Sequence, residues 1–431
     1  MRNNRSHFVC VRIAHTYFLR TSTCFAFISG HGSIIVQKQQ TALLIMAKAT
    51  TPAKIDCYTH YAPSTLMSYL RRETGQPAPF QPLFDKIPIL TCTDTEHVQT
   101  RIRHMDQAGV ICQILIPLPW LEACNTIWKD PKKAAKACRI ANEDMAKFCA
   151  QNPGRFLGVA LLPTVSEGAL MQEYDHAIHK LGLIGSAIFV GPDAVPPDDA
   201  LFERLYRESQ INNTPIWLHP CRPQTHSDYT KYSGSMHAIW NSLGWVYDTS
   251  VAMVHIALSG VLQRYPELKI VGHHGGGMIP FFAERFDVQL SNFDSDQQTK
   301  KFADMRKFYC DTATFGYQPM NIRQCLDFFD AGRVLYGTDT PMDMASPGMF
   351  TETAGRSIDD LNLEHADRDA IYNGNILEML GAHGNPVRKL LGVEEVHHGY
   401  EGDRLDEQPE NEPSRSSSSS PQSVKSKRAR L

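Results

Sequence analysis

The chain has no CxxC pair, although it carries eleven Cys residues at positions 10, 24, 57, 92, 112, 124, 138, 149, 221, 310 and 325. An odd, scattered set argues against a zinc ribbon or a disulfide framework. It predicts reduced, buried thiols in an intracellular protein. A basic excess is also missing: 43 Lys+Arg stand against 46 Asp+Glu, for a formal charge of −3. Bulk charge therefore gives no reason to expect nucleic-acid binding. Long apolar runs are absent too. The stretch "FVCVRIAHTYF" is broken by Arg12 and His15, so it is too short and too polar to span a bilayer. Carboxylates are lacking from residues 1–55, which carry Arg2, Arg5, Arg12, Arg20, Lys38, Lys48 and Lys54. That composition fits an organellar transit peptide or a translated upstream extension with Met46 as the working start. The want of a clean amphipathic repeat favours the extension.

At the other end, residues 401–431 are polar, Ser-rich and Pro-containing, which predicts a disordered tail. Its final "ARL" is similar to a variant peroxisomal address, while "KSKRAR" suits a nuclear address or a plain solvated tail. The expected organisation is a basic extension at 1–53, one domain at 54–400 and the tail at 401–431. The expected location is cytoplasmic, with the peroxisome as the alternative.

What the middle does contain is a series of short β-branched runs. They fall at 54–58, 110–117, 155–162, 184–190, 214–220, 268–274, 308–313 and 333–339. Between them lie helical patterns such as "DPKKAAKACRIANEDMAKFCAQNP". Near-continuous apolar strands imply parallel pairing with both faces covered. Eight β-α units predict a TIM (β/α)8 barrel with insertions. A doubly wound open sheet is the alternative, weakened because no Gly-rich dinucleotide loop follows the first strand.

Polar residues gather at the C-terminal ends of these strands, the face on which barrels place their chemistry. The first strand runs into Tyr58 and His60. The fifth ends in His219, the sixth in His273 and His274, and the eighth in Asp339. One such His is ordinarily a hydrogen-bonded structural residue. Four strand ends pointing to one mouth make a constellation. His60, His219 and Asp339 supply three ligands for a divalent ion, Zn²⁺ first and Mn²⁺ as the alternative. Asp56 and Tyr58 stand as uncertain fourths. His274 is a candidate general acid/base. Arg285, on the amphipathic "MIPFFAERFD" stretch, could bind a carboxylate. The insertion at 221–248 is expected to cover the mouth, with Trp240, Trp245 and Tyr247 lining a pocket for a planar substrate or simply packing there.

Six ordered motifs, "KIDCYTH", "RIRHMDQAGV", "PGRFLGVALLP", "PIWLHP", "YPELKIVGHHGGGMIPFFAERFD" and "RVLYGTDTP", resemble the aminocarboxymuconate-semialdehyde decarboxylase family of amidohydrolase-type barrels. The resemblance runs from about residue 54 to 380. It implies metal ligation by His60, His219 and Asp339, a catalytic His274, and an Arg285 that reaches the substrate of an adjacent subunit in a homodimer. Two departures stand out. The family's first strand usually reads His-x-His, and here the earlier position is Tyr58. The stretch 86–100 also lacks an Arg that the muconate enzyme carries, which argues against the muconate semialdehyde as substrate. The expected function is metal-dependent, non-oxidative decarboxylation of a small aromatic or unsaturated carboxylic acid. The alternatives are hydrolysis of an amide, lactone or ester on the same barrel, and a metal-free barrel that only binds.

Overall fold

Lys54–Tyr61 is an eight-residue strand, β1, and each of its residues is buried. A strand covered on both faces must pair in parallel inside a two-layered structure, because no face is left for water. The computed structural model describes residues 52–75, 86–118, 125–293, 302–343 and 346–397. The expected Ser-rich tail at 401–431, and the basic extension except for residues 52 and 53, lie outside the described residues.

The strands that follow are β2 (Val110–Pro117), β3 (Phe156–Gly158), β4 (Ala160–Leu161), β5 (Ser186–Val190), β6 (Ile216–Pro220), β7 (Ile270–Gly272), β8 (Tyr309–Asp311) and β9 (Val334–Leu335). They form a three-stranded sheet in the order β1-β2-β3 and a six-stranded sheet in the order β4 to β9. All the pairings are parallel. β3 and β4 are one barrel strand interrupted at Val159. The Val159 amide turns back to the Leu115 carbonyl at 3.0 Å, while Ala160 donates forward to Gly185 at 2.8 Å. The ring closes between its ends. Cys57 N–H donates to Tyr336 O at 2.8 Å, Asp339 N–H to Tyr58 O at 2.9 Å, and His60 N–H to Thr340 O at 2.8 Å. Eight strand positions thus close into the expected TIM barrel.

The helical layer follows from local signals. Asp130 caps the helix Pro131–Gln151, its side chain accepting from the amides of Lys132 and Lys133. Proline opens that helix where no amide partner is needed. Its buried face is Ala134, Ala137, Cys138, Ala141, Met145 and Phe148, the three- and four-residue spacing of an amphipathic helix. Burying each large side chain such as Met145 or Phe148 contributes roughly 1.5–3 kcal/mol. The helix Thr95–Ala108 breaks this rule by turning a fully buried Arg101 inward. Arg101 donates from Nε to Gln113 Oε1 at 2.8 Å, from Nη1 to His60 O at 2.8 Å, and from Nη2 to Thr59 Oγ1 at 3.2 Å. The outer layer thereby grips the end of β1, where the site begins.

Candidate metal centre

Three imidazoles at the barrel mouth are each oriented through one nitrogen. His60 Nδ1 lies 3.1 Å from Ile116 O, His219 Nδ1 2.6 Å from Pro220 O, and His273 Nδ1 2.5 Å from Asp311 Oδ2. A carbonyl or carboxylate at Nδ1 places the proton there and leaves Nε2 as a lone-pair donor, the arrangement of metal-binding histidines. His60, His273 and Asp339 are buried, and one donor atom from each lies within 4.8 Å of the others. Asp339 Oδ1 sits 2.9 Å from His60 Nε2 and 3.3 Å from His273 Nε2. It nevertheless makes no hydrogen bond of acceptable geometry. Buried lone pairs aimed at one another repel, and a cation among them removes the conflict. The donor set therefore fits a divalent ion.

Electrostatics points the same way. Burial opposes the charged form of Asp339, but His60 and His273 hold its carboxyl below the usual range. Burial pulls His273 down, yet Asp311 and Asp339 push it up to about 9. Two carboxylates around one imidazole favour a positive charge there, which a proton on Nε2 supplies without an ion and which an ion would supply in its place. Burial, with His60 and His273 beside it, drives His219 well down, so that ring is neutral. Its centroid lies 5.1 Å from that of His60 and 5.7 Å from that of His273. His219 shares the chamber without joining the tightest cluster.

The uncertain first-strand residues have other partners. Asp56 accepts from Thr338 N at 3.0 Å and Thr338 Oγ1 at 2.6 Å, tying β1 to the segment before Asp339. Tyr58 donates its hydroxyl to Leu218 O at 2.8 Å. Its ring lies flat on His273, with centroids 3.6 Å apart and planes within 5°. Burial, followed by Asp311 and Asp339, keeps the phenol protonated.

His274 adopts a left-handed conformation, φ 56 and ψ 47, at the head of three glycines with φ of 69, 75 and 66. A side chain on Gly276 would strike the Phe329 ring at 2.7 Å, and one on Gly277 would strike Val246 O at 2.5 Å. Glycine is therefore required sterically as well as conformationally. The turn sets the His274 ring beside that of His273, with centroids 3.6 Å apart. It also leaves the buried His274 Nδ1 without a hydrogen-bond partner. Burial and then His273 lower its pKa to about 3. His274 lines a cavity of about 390 Å³ with Phe281, Phe315, Asn321 and Cys325, a volume within the range of small-molecule sites. Trp245 meets His219 edge-on at 5.8 Å and donates from Nε1 to Arg222 O at 3.1 Å. Arg285 lies mid-helix in Ile279–Phe293, exposed, in an adjoining groove of about 410 Å³ with Tyr247 and Phe286, which shares Met278 and Phe282 with the His274 cavity.

The fold thus gathers His60, His219, Asp339, His274 and Trp245 around the mouth and leaves Arg285 outside it in the single chain. Sequence reasoning assigned no role to His273, Asp311 or Arg101. The His doublet and the carboxylate inside the apolar "FYCDTA" run were the available signals.

The amidohydrolase family model matches residues 55–382. The chain belongs to the amidohydrolase family. Among its curated relatives in that family, the gamma-resorcylate decarboxylase of Polaromonas sp. is 26% identical over 290 residues, 64% of this chain and 84% of that protein. The 2-amino-3-carboxymuconate-6-semialdehyde decarboxylase of Dictyostelium discoideum is 24% identical over 297 residues, 66% of this chain and 77% of that protein. Among solved structures of the fold, a dihydroxybenzoic acid decarboxylase from Polaromonas sp., with bound manganese and the inhibitor 2-nitroresorcinol, superposes with a TM-score of 0.62. It is 22% identical and covers 77% of this chain and 97% of that chain. Among the described residues of this amidohydrolase, no helix is long and apolar enough to cross a membrane.

Proposed function

We propose that this amidohydrolase is a metal-dependent, non-oxidative decarboxylase of a small aromatic carboxylic acid of the hydroxybenzoate class. The observation that carries the reading is the juxtaposition of an unsatisfied His/Asp donor cluster with an unpaired, buried His274 that lines a cavity. The decarboxylase relatives support the reaction class.

His60, His219 and Asp339 hold the ion, which we assign as Zn²⁺ with Mn²⁺ as the alternative; when bound, it supplies Lewis-acid binding of substrate oxygens. His274 receives the acidic proton of the substrate and returns it to the ring carbon that bears the carboxylate. The bond from that carbon to the carboxylate then breaks, its electron pair returns to the ring, and carbon dioxide leaves. Trp245 bounds the substrate plane beside His219. Arg285 belongs to the carboxylate of a neighbouring subunit in a homodimer. Its exposed neighbours Phe281 and Val288, at 66% and 56%, provide apolar surface for such a contact. The scattered, mostly buried cysteines support a cytoplasmic location.

The test loads the purified chain with Zn²⁺ or Mn²⁺ and measures carbon dioxide from a panel of hydroxybenzoates. Release from one member is expected. Hydrolysis of amides or lactones without carbon dioxide would sink the proposal in favour of a hydrolase.

A further inference from the structure

Position 58 brings no imidazole or carboxylate to the mouth, and the Tyr58 hydroxyl, a neutral phenol, turns its proton to Leu218 O 2.8 Å away. What position 58 does provide is a flat apolar surface, and the ring resting on it belongs to His273. That imidazole is only 1% exposed and is wedged between the Tyr58 ring on one side and the His274 ring, also at 3.6 Å, on the other. Its Nδ1 is fixed by Asp311, whose other oxygen accepts from the amides of Gly275 at 3.3 Å and Ala313 at 3.0 Å. Packing and hydrogen bonding thus determine both the tautomer and the direction of His273. Nε2 is left facing the unpartnered Asp339 Oδ1. A carboxylate that orients an imidazole toward a metal is the usual outer layer of a metal site.

We infer that His273 is a metal ligand, held by Asp311 and shelved on Tyr58, and that it replaces the donor which position 58 does not supply. Within the His273–His274 doublet the labour is divided: His273 binds the ion, and His274, turned by its left-handed backbone, keeps a free nitrogen for the substrate. The inference rests on the metal-dependent reading above but is independent of the reaction.

The experiment therefore measures metal, not turnover. Mn²⁺ binding to the purified full chain is followed by titration calorimetry, with folding checked by circular dichroism. His273→Ala is expected to weaken binding at least about a hundredfold, and Asp311→Asn, which leaves the imidazole in place, by about 10–100-fold. The double variant Tyr58→His/His273→Ala, which returns a His to β1, is expected to recover at least tenfold over His273→Ala. A folded His273→Ala chain that binds Mn²⁺ as tightly as the unsubstituted chain overturns the ligand assignment. If that variant does not fold, unchanged binding by Asp311→Asn does the same. Failure of the double variant to recover overturns the exchange with position 58. Absence of carbon dioxide from every acid tested, with these affinity losses intact, would strike the decarboxylase reading and leave the ligand assignment standing.

Discussion

The end of β1 and the turn after β7 face each other across the barrel mouth and are built in opposite ways. β1 is extended strand, buried throughout, whose register against β2 slips between Asp56 and Thr59, around Tyr58, and is restored at His60. It delivers one donor, His60, from a backbone locked by Arg101. The β7 turn has no regular geometry. Its His274 and the three following glycines all take positive φ, and adjacent residues point to different tasks. A strand can place a ligand accurately, but it can place only every second residue on one face. A strained turn escapes that restriction and can present two neighbouring imidazoles, at a conformational cost of about 1–3 kcal/mol for a non-Gly residue in such a region. Where the strand gives up a donor, as at Tyr58, the turn is the element able to make good the loss.

The comparison breaks most severely at the shared anion. Asp339→Asn removes the charge that both elements address. It should abolish stoichiometric metal, measured by plasma emission, and lower turnover about a thousandfold, since metal polarisation contributes several kcal/mol at about 1.36 kcal/mol per tenfold. On the turn side alone, His274→Ala should retain the metal and lower turnover about 10²–10⁴-fold; full turnover of an accepted acid would show that the free imidazole is idle. On the strand side, Arg101→Met leaves Gln113 and the His60 carbonyl without their buried donor. Denaturant unfolding should show a loss of about 3 kcal/mol, given about 1–3 kcal/mol for each unsatisfied group. The smallest effect is expected from Tyr58→Phe, which keeps the shelf and deletes the hydroxyl. Stability should fall by about 0.5–1.5 kcal/mol with Mn²⁺ affinity unchanged. A fall in affinity would mean that the phenol oxygen ligates after all.

The eight strand positions were legible because both faces of each strand are buried, so apolar runs mark them directly. Their ends were less so. The last run was expected to extend to Asp339, but β9 stops at Leu335. Beyond it the ladder partners are replaced: Tyr336 N–H goes to Ile371 O, Gly337 N–H to Thr312 Oγ1 and Thr338 N–H to Asp56. One backbone carbonyl and two side chains from distant positions do this, and no local pattern announces them. The mouth residues were legible as a set because His and Asp are conspicuous at the ends of apolar strands. Which nitrogen faces which neighbour was not. That depends on the left-handed turn at His274, and on Asp311, whose partner in sequence is 38 positions away. Tyr58 was ambiguous for the same reason: its acceptor, Leu218 O, lies 160 positions along the chain.

The seam that closes the barrel has a consequence in time. His60 and Asp339 meet only because β1 bonds to the segment following β9, through Cys57, Tyr58 and His60. Nearly the whole domain must be synthesised before that seam can form, since chains emerge from their N-terminus and distant contacts close last. A chain arrested on the ribosome short of Asp339 carries His60 and both imidazoles of the β7 turn, but not the carboxylate that unites them. Ion capture thereby requires synthesis to have passed Asp339, and a product that ends before that residue would be distinguishable from the longer protein by its lack of bound metal.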